Sequence, residues 1–192
     1  MSTWAGSLVR LRALEPDDWR VLQRLSEEQE GHATGPRPPR ATETFRRRTV
    51  NQDSPAEGDE FTLGIEVLAG GDLVGTISTA DAKPWDGTFS GSIVLAAEHR
   101  GHGYAAEAIV LLLRYMFLER RYQKCNVEAF AYNDASLRLC RHLGFVEEGR
   151  RRRSHYARGR QHDVVLLGMT VEEFAGRWAD SAERGTPVRE AR

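Results

Sequence analysis

One stretch of the sequence combines residue types and spacing suited to holding a phosphorylated ligand: Glu98-His99-Arg100-Gly101-His102-Gly103-Tyr104-Ala105-Ala106. Its two glycines free the backbone to adopt conformations that a side chain forbids and let a ligand approach main-chain N–H groups closely. A helix opening at Tyr104 leaves its first N–H groups without internal partners, and its dipole adds roughly half a positive charge at that end. Phosphate or pyrophosphate suits such a cradle, to which His99, Arg100 and His102 add donors and charge. Two common nucleotide loops do not fit. Ala106 stands where a third glycine would be needed, and no Lys-Ser or Lys-Thr pair follows Gly103.

The elements that must position this cradle are legible around it. Ser92-Ile93-Val94-Leu95-Ala96 reads as a buried strand running in, and Ala106, Ile109, Val110, Leu113, Met116 and Phe117 recur at the spacing of an amphipathic helix running out. Upstream, residues 8–14 alternate apolar and basic as a half-buried first strand does, and Glu15-Pro16-Asp17-Asp18 starts a helix striped by Trp19, Leu22 and Leu25. Residues 31–40 carry too many prolines for a helix or central strand; a second helix is expected over 42–51 and an acidic loop over 53–59. Strands over 60–68 and 72–79 make a hairpin through Ala69-Gly70-Gly71, and a turn over 83–87 leads to a strand over 88–95. Then come a strand over 127–131, a short helix capped by Asn133 and stopped at Gly144, and a hairpin of 145–155 and 161–169 around Arg158-Gly159.

The chain's 192 residues suit one compact domain, taken as residues 1–178, followed by a loosely ordered polar tail over 179–192. A net charge of −1 points away from nucleic acid and membrane as partners. The two cysteines, Cys125 and Cys140, lack Cys-x-x-Cys spacing and suit a reducing compartment. The start shows no basic-then-apolar leader and no apolar run approaches ~18 residues, so a cytoplasmic protein is expected. Arg150-Arg151-Arg152-Arg153 reads as a solvated hairpin strand, because successive strand side chains point to opposite faces. His155, His162 and Asp163 lack a matching ligand cluster, so no metal site is expected.

Arg100-Gly101-His102-Gly103-Tyr104-Ala105 resembles the Arg/Gln-x-x-Gly-x-Gly/Ala acyl-CoA pyrophosphate loop of the GNAT N-acetyltransferase superfamily. Asn133-Asp134-Ala135-Ser136-Leu137, followed by His142-Leu143-Gly144-Phe145, resembles that superfamily's second CoA segment. The branch it looks most like is the Rim-type ribosomal-protein-alanine N-acetyltransferases, and the resemblance spans residues 8–169. It implies an α/β (α+β) fold on a mixed, mostly antiparallel sheet of about seven strands, splayed between the fourth and fifth, with helices on both faces. It implies acetyl-CoA as cosubstrate, with pantetheine pairing like a substitute strand along residues 93–96. The CoA contacts it implies are Val94, Leu95, Ala96, His99, Arg100, Gly101, His102, Gly103, Tyr104, Ala105, Ala106, Asn133, Ser136 and Arg141. Residues 31–48 would face the acceptor. Arg37, Arg40, Arg46, Arg47 and Arg48 favour an anionic acceptor and Asp53, Glu57, Asp59 and Glu60 a cationic one, so its charge stays open. Such domains commonly pair, and a homodimer is an expectation of the same kind.

By this resemblance the protein moves acetyl from acetyl-CoA to a primary amine, a protein N-terminus or a small amine, by direct attack in a ternary complex. The amine must attack unprotonated; at pH 7 that costs about 1 kcal/mol for an α-amine and about 4.6 kcal/mol for a lysine-like amine. Ser136 is the expected partner of the CoA thiolate, and Cys140, standing where many members carry tyrosine, is the second catalytic candidate. The general base is open. Ser90 stands where Rim-like members often carry glutamate, which leaves Glu66 and Asp81. The missing acid keeps a non-catalytic acyl-CoA-binding regulatory module as an alternative, and the arginines of residues 37–48 keep a larger acyl group such as succinyl.

Overall fold

The computed structural model describes residues 3–29, 41–50 and 59–184. Its strands are β1 (Val9–Arg12), β2 (Thr62–Val67), β3 (Leu73–Lys83), β4 (Thr88–Leu95), β5 (Lys124–Phe130), β6 (Val146–Ala157) and β7 (Arg160–Thr170). Its helices are α1 (Trp19–Gln29), α2 (Thr42–Val50), α3 (Tyr104–Arg114), α4 (Asp134–Leu143) and α5 (Val171–Arg184). Among the described residues the strands form one seven-stranded sheet in the order β1-β2-β3-β4-β5-β7-β6. Neighbours are antiparallel except β4 and β5, the parallel pair that α3 connects.

That parallel pair is also where the sheet opens. Only Thr88, Phe89 and Ser90 of β4 pair with Lys124, Cys125 and Asn126 of β5. Beyond them β4 stays with β3, from Gly91↔Thr79 to Leu95↔Gly75, while β5 stays with β7 as far as Phe130↔Val164. The two halves of the sheet diverge because each strand is held along its outer edge only.

Helix α3 buries Ala106, Val110 and Leu113 of the expected stripe, and a π-helical turn over Tyr115–Glu119 continues it through Met116 and Phe117; Ile109 is half-buried, while Ala108, Leu111 and Leu112 are buried as well, so the helix is covered over more than one stripe. A carboxylate sits inside that stripe. Glu107 Oε1 accepts hydrogen bonds from the Ser7 N–H (2.8 Å) and hydroxyl (2.6 Å), and Oε2 accepts from the N–H groups of Leu8 (2.7 Å) and Val9 (2.8 Å). Four donors offset the cost of burying the carboxylate and tie the first strand to the helix behind the cradle. Gly6 lies beside it because an added Cβ would overlap the Glu107 carboxyl.

Several boundaries differ from the sequence reading. The first helix begins as a 3-10 turn over Pro16–Asp18. β3 runs on past residue 79 to Lys83 by way of an irregularity between Ala80 and Lys83, with Asp81 at φ 48°. β5 starts at Lys124, its polar Lys124 and Asn126 alternating with buried Cys125. α5 covers residues 179–184, where a loose tail was expected, and Phe174 is buried in the core while the indole N–H of Trp178 donates to the Leu143 carbonyl at 3.1 Å. Residues 185–192, and the expected loops over 31–40 and 53–58, lie outside the described residues. None of the described helices is long and apolar enough to cross a membrane.

Replacing Glu107 by Ala leaves the main-chain donors of residues 7–9 facing a void. Glu107→Ala should lower the unfolding free energy by about 3 kcal/mol in urea titration. An unchanged midpoint and slope would show that the carboxylate does not carry this junction.

Candidate active site

The cradle forms as its glycines require. β4 ends at Leu95, a 3-10 turn covers Ala97–His99, and Gly101 and Gly103 take φ 77° and 81°, Gly103 capping α3. Among the described residues nothing lies within 4 Å of where a Cβ on Gly101 would sit, so the backbone there faces open space. Arg100 turns back to β4, its Nε (3.3 Å) and Nη2 (3.1 Å) donating to the Leu95 carbonyl. α1 braces the same loop. Glu28 accepts from the Ala97 N–H at 2.9 Å, and Arg24 pairs with Glu98 at 3.2 Å.

Where β4 and β5 part, two adjoining cavities of about 430 and 400 Å³ share Ile93, Asn133, Ser136 and Leu139 on their walls. The larger brings together Val94, Leu95, Arg100, Gly101, Gly103, Tyr104 and Ala105 with Asn133 and Ser136. Both helix N-termini, α3 at Tyr104 and α4 at Asp134, therefore meet one cavity. The smaller reaches inward between α3 and α4 and includes Cys140 and Phe145.

Asn133 caps α4, its side-chain oxygen accepting from the Ser136 N–H at 3.2 Å, and Gly144 closes that helix in the left-handed region at φ 102°. Burial pushes the Cys140 thiol up to about 11, against smaller opposing effects of a hydrogen bond with Ser136 and the charge of Arg141. The thiol is therefore protonated at neutral pH. Burial pushes Cys125 up further still.

Five residues expected at the site stand away from the cavity walls. Ala96 and Ala106 are fully buried, Ala96 with its N–H donated to Val74. His102 stacks on Tyr104 with ring centroids 5.4 Å apart, outside the lining, as is His99. Arg141 turns outward to Glu147 at 3.4 Å. The two candidate bases fare no better. Glu66 is buried between Arg10 (2.6 Å) and Arg12 (2.5 Å), as a strut between β1 and β2. Arg12 continues to Asp18 at 2.7 Å, and that hydrogen bond, with the one to Glu66, raises its pKa. Among the described residues, Asp81 accepts from the Ser90 hydroxyl at 3.4 Å and lines neither cavity.

On the expected acceptor wall, Arg46 and Arg20 flank the Trp19 ring at 4.9 and 4.8 Å, and Arg47 pairs with Glu43 at 3.3 Å. Asp59 accepts from the Tyr122 hydroxyl (2.9 Å) and pairs with Arg120 (2.5 Å), while Glu60 accepts from the Ala82 N–H (3.0 Å). Arg37, Arg40, Asp53 and Glu57 lie outside the described residues.

Three residues that the sequence reading passed over do reach the walls. Tyr132 and Arg158 line the larger cavity and Glu128 the smaller. Glu128 is exposed and pairs with Arg151 of β6. Burial raises the Tyr132 pKa, opposed by the charge of Arg158. Tyr132 precedes the capping Asn133 directly, a local signal that could have found it. Glu128 and Arg158 arrive through strand pairing and carry no such signal.

The profile of the acetyltransferase (GNAT) domain matches residues 9–146. The chain belongs to the GNAT acetyltransferase family. It is 35% identical over 171 residues to the SPbeta prophage-derived uncharacterized N-acetyltransferase YokL of Bacillus subtilis, covering 89% of this chain and 94% of that one. It is 25% identical over 138 residues, 72% of this chain and 75% of the other, to YdaF of Bacillus subtilis, whose name provisionally makes it a ribosomal N-acetyltransferase. Among solved structures, a mutant form of the spermidine/spermine N-acetyltransferase SpeG from Vibrio cholerae superposes with a TM-score of 0.75 at 23% identity, covering 88% of this chain and 97% of that one. At that identity the likeness shows the fold. The family, the mixed sheet and its splayed fourth and fifth strands thus stand as the motifs implied.

With its pKa near 11, Cys140 holds roughly one part in a thousand of thiolate at pH 8. Iodoacetamide at pH 8 should leave both cysteines of the native protein unmodified while consuming a small free thiol, and should label both in denaturant, as read by mass spectrometry. Rapid native labelling of Cys140 would refute its burial as an inert thiol.

Proposed function

We propose that this GNAT acetyltransferase transfers acetyl from acetyl-CoA to a primary amine by direct attack. The observation that carries the reading is the pair of adjoining cavities that runs from the glycine cradle, past the shared wall at Ser136, to Cys140. Its outer end suits phosphates: among the described residues its wall carries open glycine backbone, two helix N-termini and two arginines, and no carboxylate. Its middle suits pantetheine, because among the described residues the inner edge of β4 beyond Ser90 has no strand partner.

Each role falls to a residue of this chain. The open edge of β4 binds the thioester arm. Ser136, on the wall common to both cavities, donates its hydroxyl to the departing sulfur. Glu128, the carboxylate on the inner wall, accepts the proton of the attacking amine, directly or through water. The apolar side chains of Ile109, Leu112 and Leu113 line the same cavity. Cys140 serves as packing next to Ser136, since its thiol is neutral. The absence of an acid at Ser90 had favoured a binding module without turnover; Glu128 supplies a carboxylate from β5 instead.

The acceptor is a small or peptide amine reaching Glu128. The names of the relatives put both ribosomal proteins and polyamines on the panel to be tried. The homodimer and cytoplasmic setting remain part of the same reading, as does a single domain, which α5 carries past residue 178 to Arg184.

Thiol release from acetyl-CoA against N-terminal peptides, polyamines and aminoglycosides tests the reading. Turnover should appear with at least one acceptor class, and absence of both turnover and CoA binding would overturn it. Gly101→Glu, which strains the backbone at φ 77° and places a negative charge in the cradle, should abolish CoA binding. Ser136→Ala should lower kcat about tenfold and Glu128→Gln about a hundredfold, with the Kd for CoA unchanged in both.

A further inference from the structure

We propose that Arg158, in the β6–β7 turn, is a second contact for a phosphate of acyl-CoA, reaching the ligand from a different element than the glycine cradle. The inference rests on the acyl-CoA reading above and adds a specific residue to it.

Arg158 lines the same cavity as Gly101 and Gly103, and with Arg100 supplies its cationic side chains. Arg100 commits Nε and Nη2 to the Leu95 carbonyl, so its guanidinium chiefly locks the cradle to β4. Arg158 comes from another element: its guanidinium carbon lies 5.8 Å from the ring centroid of Tyr132, itself on the cavity wall.

The backbone provides a second, independent argument. Ala157 pairs with Arg160, and the two residues between them, Arg158 and Gly159, take φ 52° and 76°. Two central residues at positive φ mark a type I′ hairpin turn, where Asn, Asp or Gly is favoured at the first position. An arginine there is strained, and strain of this kind at a cavity wall points to a side chain kept for what it reaches. Asparagine would relieve the turn but could not reach as far.

Turn and ligand therefore ask for different residues, which makes the test sharp. Arg158→Asn should keep or raise Tm while raising the Kd for CoA roughly tenfold by calorimetry, the loss of one charge-assisted contact. Arg158→Lys should recover part of that affinity. Repeating the titration with 3′-dephospho-CoA identifies the phosphate: a loss seen with both ligands assigns the pyrophosphate, and a loss seen only with CoA assigns the 3′-phosphate. Unchanged CoA affinity in Arg158→Asn, or a change confined to the KM of the amine, would overturn the inference while leaving the acyl-CoA reading intact. Failure of the wild-type protein to bind CoA would overturn both.

Discussion

The divergence of β4 from β5 is the constraint on which the rest of the molecule depends. Three residue pairs join them, and past Ser90 and Asn126 each strand has a partner on one edge alone. Unpaired N–H and C=O groups inside a protein are costly, so such an edge persists only if it meets water or a ligand able to pair with it. Nothing local opens the gap. It is imposed from outside, by β3 on one half and β7 on the other, each of which pairs with its neighbour well past the point of separation. The same divergence brings the starts of α3 and α4 to a common cavity, so two sets of orphan helix donors and two positive dipole ends converge there.

The distribution of carboxylates follows from that arrangement. Glu107 is spent on joining the first strand to α3, Glu66 on joining β1 to β2, and Asp59 on tying its segment to Tyr122 and Arg120. Each is well supplied with donors, so each is framework. Among the described residues no carboxylate lines the larger cavity, and Glu128 lines the smaller one. On the proposed reaction, a phosphate end free of negative charge and an inner end with a proton acceptor would be two requirements of one chemistry, and the framework acids stand clear of both.

How much could be read beforehand depended on sequence distance. The cradle, the capping Asn133 and the stop at Gly144 were legible because a few consecutive residues determine them, and the β4–α3 junction formed where it was expected. The seven strands were legible as alternation and turns, with ends displaced where polar residues such as Lys124 and Asn126 interrupt the apolar pattern. Arg141 and His102 were assigned by position on a helix or loop, but the direction of a surface side chain depends on its neighbours, here Glu147 and Tyr104.

Arg158 and Glu128 show the limit most clearly. Glu128 pairs in register with Leu166 and meets Arg151 across the sheet, and Arg158 reaches the cleft only because β6 and β7 form a hairpin against β5. No window of sequence contains those contacts. Even so, the turn at Arg158-Gly159 held a usable signal: a two-residue hairpin that wants asparagine or glycine at its first position holds arginine instead. A residue ill-suited to its own backbone is informative before its partners are known, because local preference has yielded there to something else. Arg100, in the motif and easily recognised, turned out to brace the backbone, while the arginine in the wrong turn faces the cavity.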